Sequence, residues 1–124
     1  MPEQPKWMTI TGWVLTALLI LPFGVGGMFK ISQHPDVVKG FKDMGFPDGS
    51  ALTIGIVEVA CLLVYLFPRT AVLGAVLLTG YMGGAICVHV QRSESIIFHI
   101  VIGVIIWLGI YLREPRLRLL LPLR

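Results

Sequence analysis

The chain has 124 residues, of which 56% are hydrophobic and only 14% are charged, and its formal net charge is +3. Its mean hydropathy is +0.84. A soluble domain of this size carries roughly a quarter of its residues as Asp, Glu, Lys or Arg, which solvate its surface. The composition therefore excludes an ordinary soluble enzyme and predicts a single integral membrane domain over residues 1–124.

Four apolar runs follow one another along the chain, at residues 8–29, 51–67, 70–90 and 96–111. Each is close to the roughly 20 residues that a helix needs to cross a bilayer. The predicted fold is therefore all-α, a bundle of four transmembrane helices. A cleaved signal peptide is the alternative for the first run, which is too long for one and lacks a cleavage site. Pro22 within this run predicts a kink that packs against a neighbouring helix.

Two further segments have amphipathic patterns. Between the first two runs, residues 36–44 place Val37, Phe41 and Met44 on one helical face and charged residues on the other. This predicts a short surface helix, which either lies passively at the interface or covers the bundle. The tail, residues 112–124, alternates arginine with leucine and is expected to lie at the membrane interface. No stacking aromatic residues accompany it, so no nucleic-acid partner is predicted.

The distribution of basic residues predicts the orientation. Four crossings put both termini on one side of the membrane, together with Lys6, Arg69, Arg113, Arg116, Arg118 and Arg124. The opposite side has fewer basic residues, namely Lys30, Lys39, Lys42 and Arg92. Because the more basic side faces the cytoplasm, both termini are predicted to be cytoplasmic.

One carboxylate, Glu58, lies inside the second apolar run, in the stretch TIGIVEVACLLVYLF. A charge within the bilayer costs about 2.5–3.5 kcal/mol even on the lenient insertion scale, so Glu58 is expected to face inward and find a partner. The topology places three candidates in the same half of the bundle, and we rank them His99, Lys30 and His89. Tyr81 lies deeper and is expected to donate a hydrogen bond from below.

Two interpretations of this polar group remain open. A buried Glu near His side chains is typical of a proton relay, or of a pocket that binds the polar head of an apolar ligand. The alternative is a structural hydrogen bond between helices, worth about 0.6 kcal/mol on average. We favour a functional role for Glu58, while His99 fits both interpretations equally. The residues His89 and Lys30 are, taken alone, ordinary interfacial residues.

Three glycines indicate close helix packing. Gly80 and Gly84 have small-xxx-small spacing in the third run, and Gly103 follows His99 by about one turn in the fourth. Small residues allow helix backbones to approach within van der Waals contact, so all three are predicted to lie in helix interfaces.

The two cysteines and the scattered histidines do not predict a redox or metal centre. Cys61 and Cys87 make no CxxC pair and lie at different depths, so we predict no disulfide and two small apolar core residues. No i, i+4 spacing arranges metal ligands, and no metal site is predicted. No glycine-rich phosphate loop or nucleophile elbow is present in the sequence either.

The segments GGMFKI, FKDMGFP, GIVEVACLLVYLFPRTAVLGA and LTGYMGGAICVH follow in an order that resembles the DoxX-like family of small four-helix membrane proteins. The resemblance covers roughly residues 20–92. It implies a redox association, because the family takes its name from a membrane subunit linked to thiosulfate:quinone oxidation and terminal oxidases. The matching Glu and Lys positions are Glu58 and Lys30, and the resemblance implies no established catalytic role for them.

We therefore expect an accessory subunit of a membrane redox system, without independent catalytic activity, that binds a quinone or lipid-like molecule around Glu58. No cofactor is certain. The expected partners are membrane lipids and either a membrane oxidoreductase or a second copy of the chain. The expected location is the plasma or inner membrane of a prokaryote. The alternatives are a proton-coupled transporter of a small molecule and a purely structural subunit of a larger complex.

Overall fold

The structure is a computed structural model that describes residues 4–121. It contains five helices, which are α1 (Lys6–Ile31), α2 (Pro35–Asp43), α3 (Ser50–Leu66), α4 (Ala71–Gln91) and α5 (Ile97–Arg113). Short 3₁₀ turns at Pro68–Thr70 and Pro115–Leu119 precede α4 and follow α5. No β-strand occurs within residues 4–121, so the all-α prediction is confirmed there. The end of the predicted tail, residues 122–124, lies outside the described part.

Two helical stretches are long and apolar enough to cross a membrane, namely Lys6–Ile31 and Pro68–Gln91. Helices α3 and α5 have 17 residues each and fall slightly below the usual length of about 20. All four of these helices expose large apolar side chains, as at Val14, Ile56, Val76 and Val104. The fold is thus an apolar helical bundle, and helix length alone supports two crossings.

Helix α1 accommodates Pro22 by changing its helical type. The α-helical stretch Lys6–Leu18 is followed by a π-helical turn, Ile20–Val25, and then by a second α-helical stretch, Gly26–Ile31. Proline has no backbone N–H and its ring clashes with the carbonyl of the preceding turn, and the wider π-turn makes room for the ring. The adjacent Phe23 is only 1% exposed, so this irregular turn is packed into the core.

The helices approach most closely at five glycines. Gly12 lies against Gly109 and Arg113 where α1 meets α5, and Gly27 lies against Gly55 and Val59 where α1 meets α3. Gly74 of α4 packs on the backbone of Tyr65 in α3, where an added Cβ would lie 2.2 Å from the Tyr65 Cα. Such contacts are the usual source of helix association when the surroundings are apolar.

The predicted packing role of Gly80, Gly84 and Gly103 is wrong within the chain. A Cβ added at any of the three would meet no atom within 4 Å. The reason is that α4 and α5 border open space in this half of the bundle, where Gly80 and Gly84 line a cavity. The cysteine prediction also needs a correction, because Cys61 is buried but Cys87 is exposed. Both thiols are free.

Helix α2 lies over one end of the bundle. His34 caps its start, where the Asp36 N–H donates to the His34 Nδ1. The chain leaves α2 through Gly45, whose φ of +86° favours glycine. The charged face of the helix is exposed, whereas Phe41 and the adjacent Met44 are half-buried over the bundle. We call this half of the molecule the Lys30 end, and the opposite half the Arg113 end.

Candidate functional site: an apolar cavity with an ion pair

A cavity of about 510 Å³ opens at the Lys30 end, between all five helices. Its walls are mainly apolar and include side chains from every helix: Phe23, Phe41, Ile54, Met82, Val88 and Ile102. Five polar side chains also line it: Lys30, Glu58, Tyr81, His89 and His99. A few polar groups in an apolar wall are the usual composition of a small-molecule site, and this volume is typical of one.

The deepest polar group is the Glu58 carboxylate, which forms an ion pair with Lys30. The Lys30 Nζ donates to Glu58 Oε2 at 2.9 Å and to Oε1 at 3.3 Å. The Glu58 side chain is 4% exposed and the Lys30 side chain 21%. Glu58 thus faces inward with a hydrogen-bonding partner, which lowers the cost of placing its charge in apolar surroundings.

Two glycines allow this ion pair to form. A Cβ on Gly55 would lie 2.7 Å from the Lys30 Cβ, and a Cβ on Gly27 would lie 3.2 Å from Glu58 Oε2. Only the absence of both side chains lets α1 approach α3 closely enough for Lys30 to reach the carboxylate.

The predicted ranking of partners was wrong, because His99 was placed ahead of Lys30. Helix α1 packs directly on α3, whereas α5 packs mainly on α1 and α4. His99 therefore lines the cavity with Glu58 but makes no hydrogen bond with it.

Tyr81 lies beside the ion pair on α4. Its hydroxyl faces the Glu58 carboxylate and interacts with it as a hydrogen-bond donor, with a looser geometry than the two bonds from Lys30. The Tyr81 ring packs edge-on against Phe23, with ring centroids 6.0 Å apart. Tyr81 thus lies where the predicted hydrogen bond to Glu58 places it, and its side chain lines the cavity.

A pair of histidines forms the outer wall of the cavity. His89 lies in the last turn of α4 and His99 in the first turn of α5, and their ring centroids are 4.2 Å apart at an angle of 46°. The His89 Nδ1 lies 2.7 Å from the Ala85 carbonyl oxygen. The His99 Nδ1 is buried and has no hydrogen-bond partner. We call these two residues the histidine pair.

No three His, Cys, Asp or Glu side chains within residues 4–121 are grouped closely enough to hold a metal ion. The five candidate residues predicted from the sequence all border this one cavity.

The contribution of α2 to the cavity was not among the predicted site residues. Phe41, Met44 and Phe46 all line it, with the Phe41 and Phe46 rings 5.2 Å apart in an edge-to-face arrangement. The amphipathic pattern of residues 36–44 was the available signal, because an apolar face on a surface helix must be covered. That pattern does not say what covers the face.

The arrangement defines a helical membrane protein with a ligand-sized apolar cavity at one end. The chain belongs to the DoxX-like family, whose model matches residues 14–110. The matched region contains all five polar residues that line the cavity. No curated protein and no solved structure matches the chain.

Proposed function

We propose that this protein binds a quinone or similar lipid-like molecule in the cavity, as an accessory subunit of a membrane redox system. The observation that carries the proposal is the combination of an apolar volume of about 510 Å³ with a buried Lys30–Glu58 pair at its base. The apolar walls suit a hydrocarbon tail, and the polar groups suit a small head.

The proposal includes four membrane crossings. Helices α3 and α5, with 17 residues each, span about 25 Å at 1.5 Å per residue. A helix that is short by a few residues is tolerated when it stands upright or when the bilayer thins locally. Both helices also expose apolar side chains that suit lipid, such as Leu63 and Val104. Both termini then lie on one side, and the excess of basic residues there favours the cytoplasmic side of a prokaryotic plasma membrane.

The ion pair gives the cavity a head-group site. Lys30 has three N–H donors, and the carboxylate of Glu58 uses two of them. The third is available to a carbonyl or hydroxyl oxygen of a bound head. Glu58 holds the ammonium group in place and is positioned to exchange a proton with the head. The proposed role is binding, with any electron transfer left to a partner subunit.

Transport across the membrane is the weaker alternative. Fully buried apolar side chains, including Leu62, Leu78 and Ile106, lie between the cavity and the Arg113 end. A polar substrate would have to cross this layer without hydrogen-bonding partners, at a high cost in free energy. A purely structural subunit has no need for a cavity of this size, so ligand binding is the better explanation.

The cavity offers a matched pair of variants for a test. Gly84 lines the cavity and Gly83 does not, yet both have open space where a side chain would be added. We expect Gly84→Leu to fill the cavity and Gly83→Leu to leave it unchanged. Decylbenzoquinone is titrated into each protein in nanodiscs, and the thermal unfolding temperature is measured. A ligand at a hundred times its Kd stabilises a protein by about 2.7 kcal/mol.

Wild type and Gly83→Leu should show this stabilisation, and Gly84→Leu should lose it. Glu58→Gln should also weaken binding, because it removes the group that orients Lys30. Equal stabilisation of the two glycine variants, or none in the wild type, would contradict the proposal. A quinone-like molecule identified by mass spectrometry in the purified protein would support it independently.

A further inference from the structure

The hydrogen bonds of the histidine pair determine which nitrogen of each ring carries a proton. In a neutral imidazole one nitrogen is a donor and the other an acceptor. The His89 Nδ1 lies 2.7 Å from the Ala85 carbonyl oxygen, which can only accept. The His89 Nδ1 must therefore be the N–H donor, and the His89 Nε2 is left as a bare acceptor.

The opposite assignment follows for His99. Its Nδ1 is buried without a partner, and an unpaired buried N–H is among the rarest features of folded proteins. The proton is better placed on the His99 Nε2.

The two Nε2 atoms are left for a ligand. Both rings line the cavity, and neither Nε2 atom is buried or hydrogen-bonded within the described residues. The ring centroids are 4.2 Å apart and both rings border the cavity, so a ligand head at this wall lies beside both rings. One of them donates a hydrogen bond and the other accepts one.

We infer that the histidine pair selects a ligand whose head carries a hydroxyl group, as in a phenol or a hydroquinone. A hydroxyl oxygen both donates and accepts, so it satisfies the His89 Nε2 and the His99 Nε2–H together. An ether or carbonyl oxygen only accepts, and it leaves the His89 Nε2 unpaired. This inference rests on the proposed function, and it adds the chemical class of the head group.

The test compares two ligands that differ only in the hydroxyl proton, 4-decylphenol and its methyl ether 4-decylanisole. Binding to the protein in nanodiscs is measured by calorimetry. One buried hydrogen bond corresponds to a difference of about three- to tenfold in Kd, in favour of the phenol. Gly84→Leu should abolish binding of both ligands, and Gly83→Leu should affect neither.

Two substitutions separate the roles of the rings. His89→Phe removes the acceptor, so it should weaken the phenol to the level of the ether and leave the ether unchanged. His99→Phe removes the donor that both oxygens use, so it should weaken both ligands by a similar factor and retain the preference for the phenol. The assignment would be overturned if His89→Phe weakened both ligands by a similar factor and His99→Phe removed the preference for the phenol.

Nitrogen NMR of the ¹⁵N-histidine-labelled wild type reads the proton positions directly, so the inference stays testable if either variant misfolds. A proton on the His89 Nδ1 and on the His99 Nε2 is expected, and any other assignment overturns the inference. A second contrary result is that the wild type binds the phenol and the ether equally, with Gly84→Leu abolishing both. That result would overturn the inference about the histidine pair and leave the proposed function intact. Absence of binding by both ligands and by decylbenzoquinone would overturn both.

Discussion

The glycines differ between the two ends of the bundle, apart from Gly27 and Gly55, which pack α1 against α3 at the Lys30 end. At the Arg113 end, Gly12, Gly74 and Gly109 lie where one helix touches another, so that an added Cβ would collide with backbone or side-chain atoms. At the Lys30 end, Gly80 and Gly84 face open space and line the cavity. The first set of glycines allows close helix contact, and Gly80 and Gly84 leave space for the cavity.

The polar groups differ in the same way. At the Arg113 end, the Tyr65 hydroxyl donates to the Ile106 carbonyl, and the Arg113 Nη2 donates to the Tyr65 carbonyl at 2.8 Å. The Arg113 guanidinium also lies 4.2 Å from the centre of the Trp13 ring. At the Lys30 end, the polar side chains line an open cavity instead. Each end also has a buried side-chain nitrogen without a hydrogen-bond partner, namely the Arg113 Nε and the His99 Nδ1. The contrast is typical of a protein with one half that provides stability and one that holds a ligand.

The largest expected effect is at a packed glycine. Gly74→Ala would put a Cβ 2.2 Å from the Tyr65 Cα and 2.3 Å from its nitrogen. Because backbone atoms cannot move aside, α3 and α4 must separate, and we expect a loss of about 3 kcal/mol or more. Gly83→Ala is the control, expected to change stability by less than about 0.5 kcal/mol. Unfolding in detergent with increasing SDS measures both, and equal midpoints would contradict the contrast between the two ends.

A second test concerns the ion pair that closes the base of the cavity. Glu58→Gln leaves the Lys30 ammonium without its partner, and we expect a loss of about 1–3 kcal/mol. This is below the value for a fully buried pair because the Lys30 side chain is 21% exposed. Lys30→Met combined with Glu58→Leu should recover much of that loss. The unfolding free energies of the wild type, Lys30→Met, Glu58→Leu and the double variant form a cycle that measures the coupling.

The control for this cycle is the exposed pair Arg92–Glu94, with 3.2 Å between the Arg92 Nε and Glu94 Oε1. Glu94→Gln should change stability by less than about 1 kcal/mol, because water screens the interaction. If the Lys30–Glu58 cycle gave no larger coupling than this surface pair, the ion pair would not be a structural element of the cavity.

The sequence predicted the class of the fold and the inward direction of Glu58, because both follow from the cost of exposing polar atoms to lipid. It ranked Lys30 second to His99 as the partner of Glu58, since the correct order depends on α1 rather than α5 packing against α3. The glycines show the same limit. Gly80 and Gly84 have the spacing of a packing motif and Gly74 does not pair with another glycine, yet only Gly74 lies at a helix contact. Spacing along one helix does not say which face a second helix covers.

The smallest expected effect concerns α2, which covers the cavity at the Lys30 end. The Phe41 side chain lines the cavity, and the charged face of the same helix is exposed. Backbone positions with positive φ flank the helix, at Gln33 and Gly45. We therefore expect α2 to restrict the entry and exit of a bound ligand.

Phe41→Ala would remove part of this cover, and we expect a bound decyl-tailed phenol to dissociate a few-fold faster. The control is Val38→Ala, which truncates an apolar residue of the same helix that is 39% exposed and does not line the cavity. Dissociation is followed by stopped-flow dilution into ligand-free nanodiscs. Since loss of the Phe41 ring opens the mouth without touching Lys30 or Glu58, the association rate should rise together with the dissociation rate. An association rate that stays constant would mean that Phe41 contacts the ligand without restricting its entry, and that ligands reach the cavity by another route between the helices.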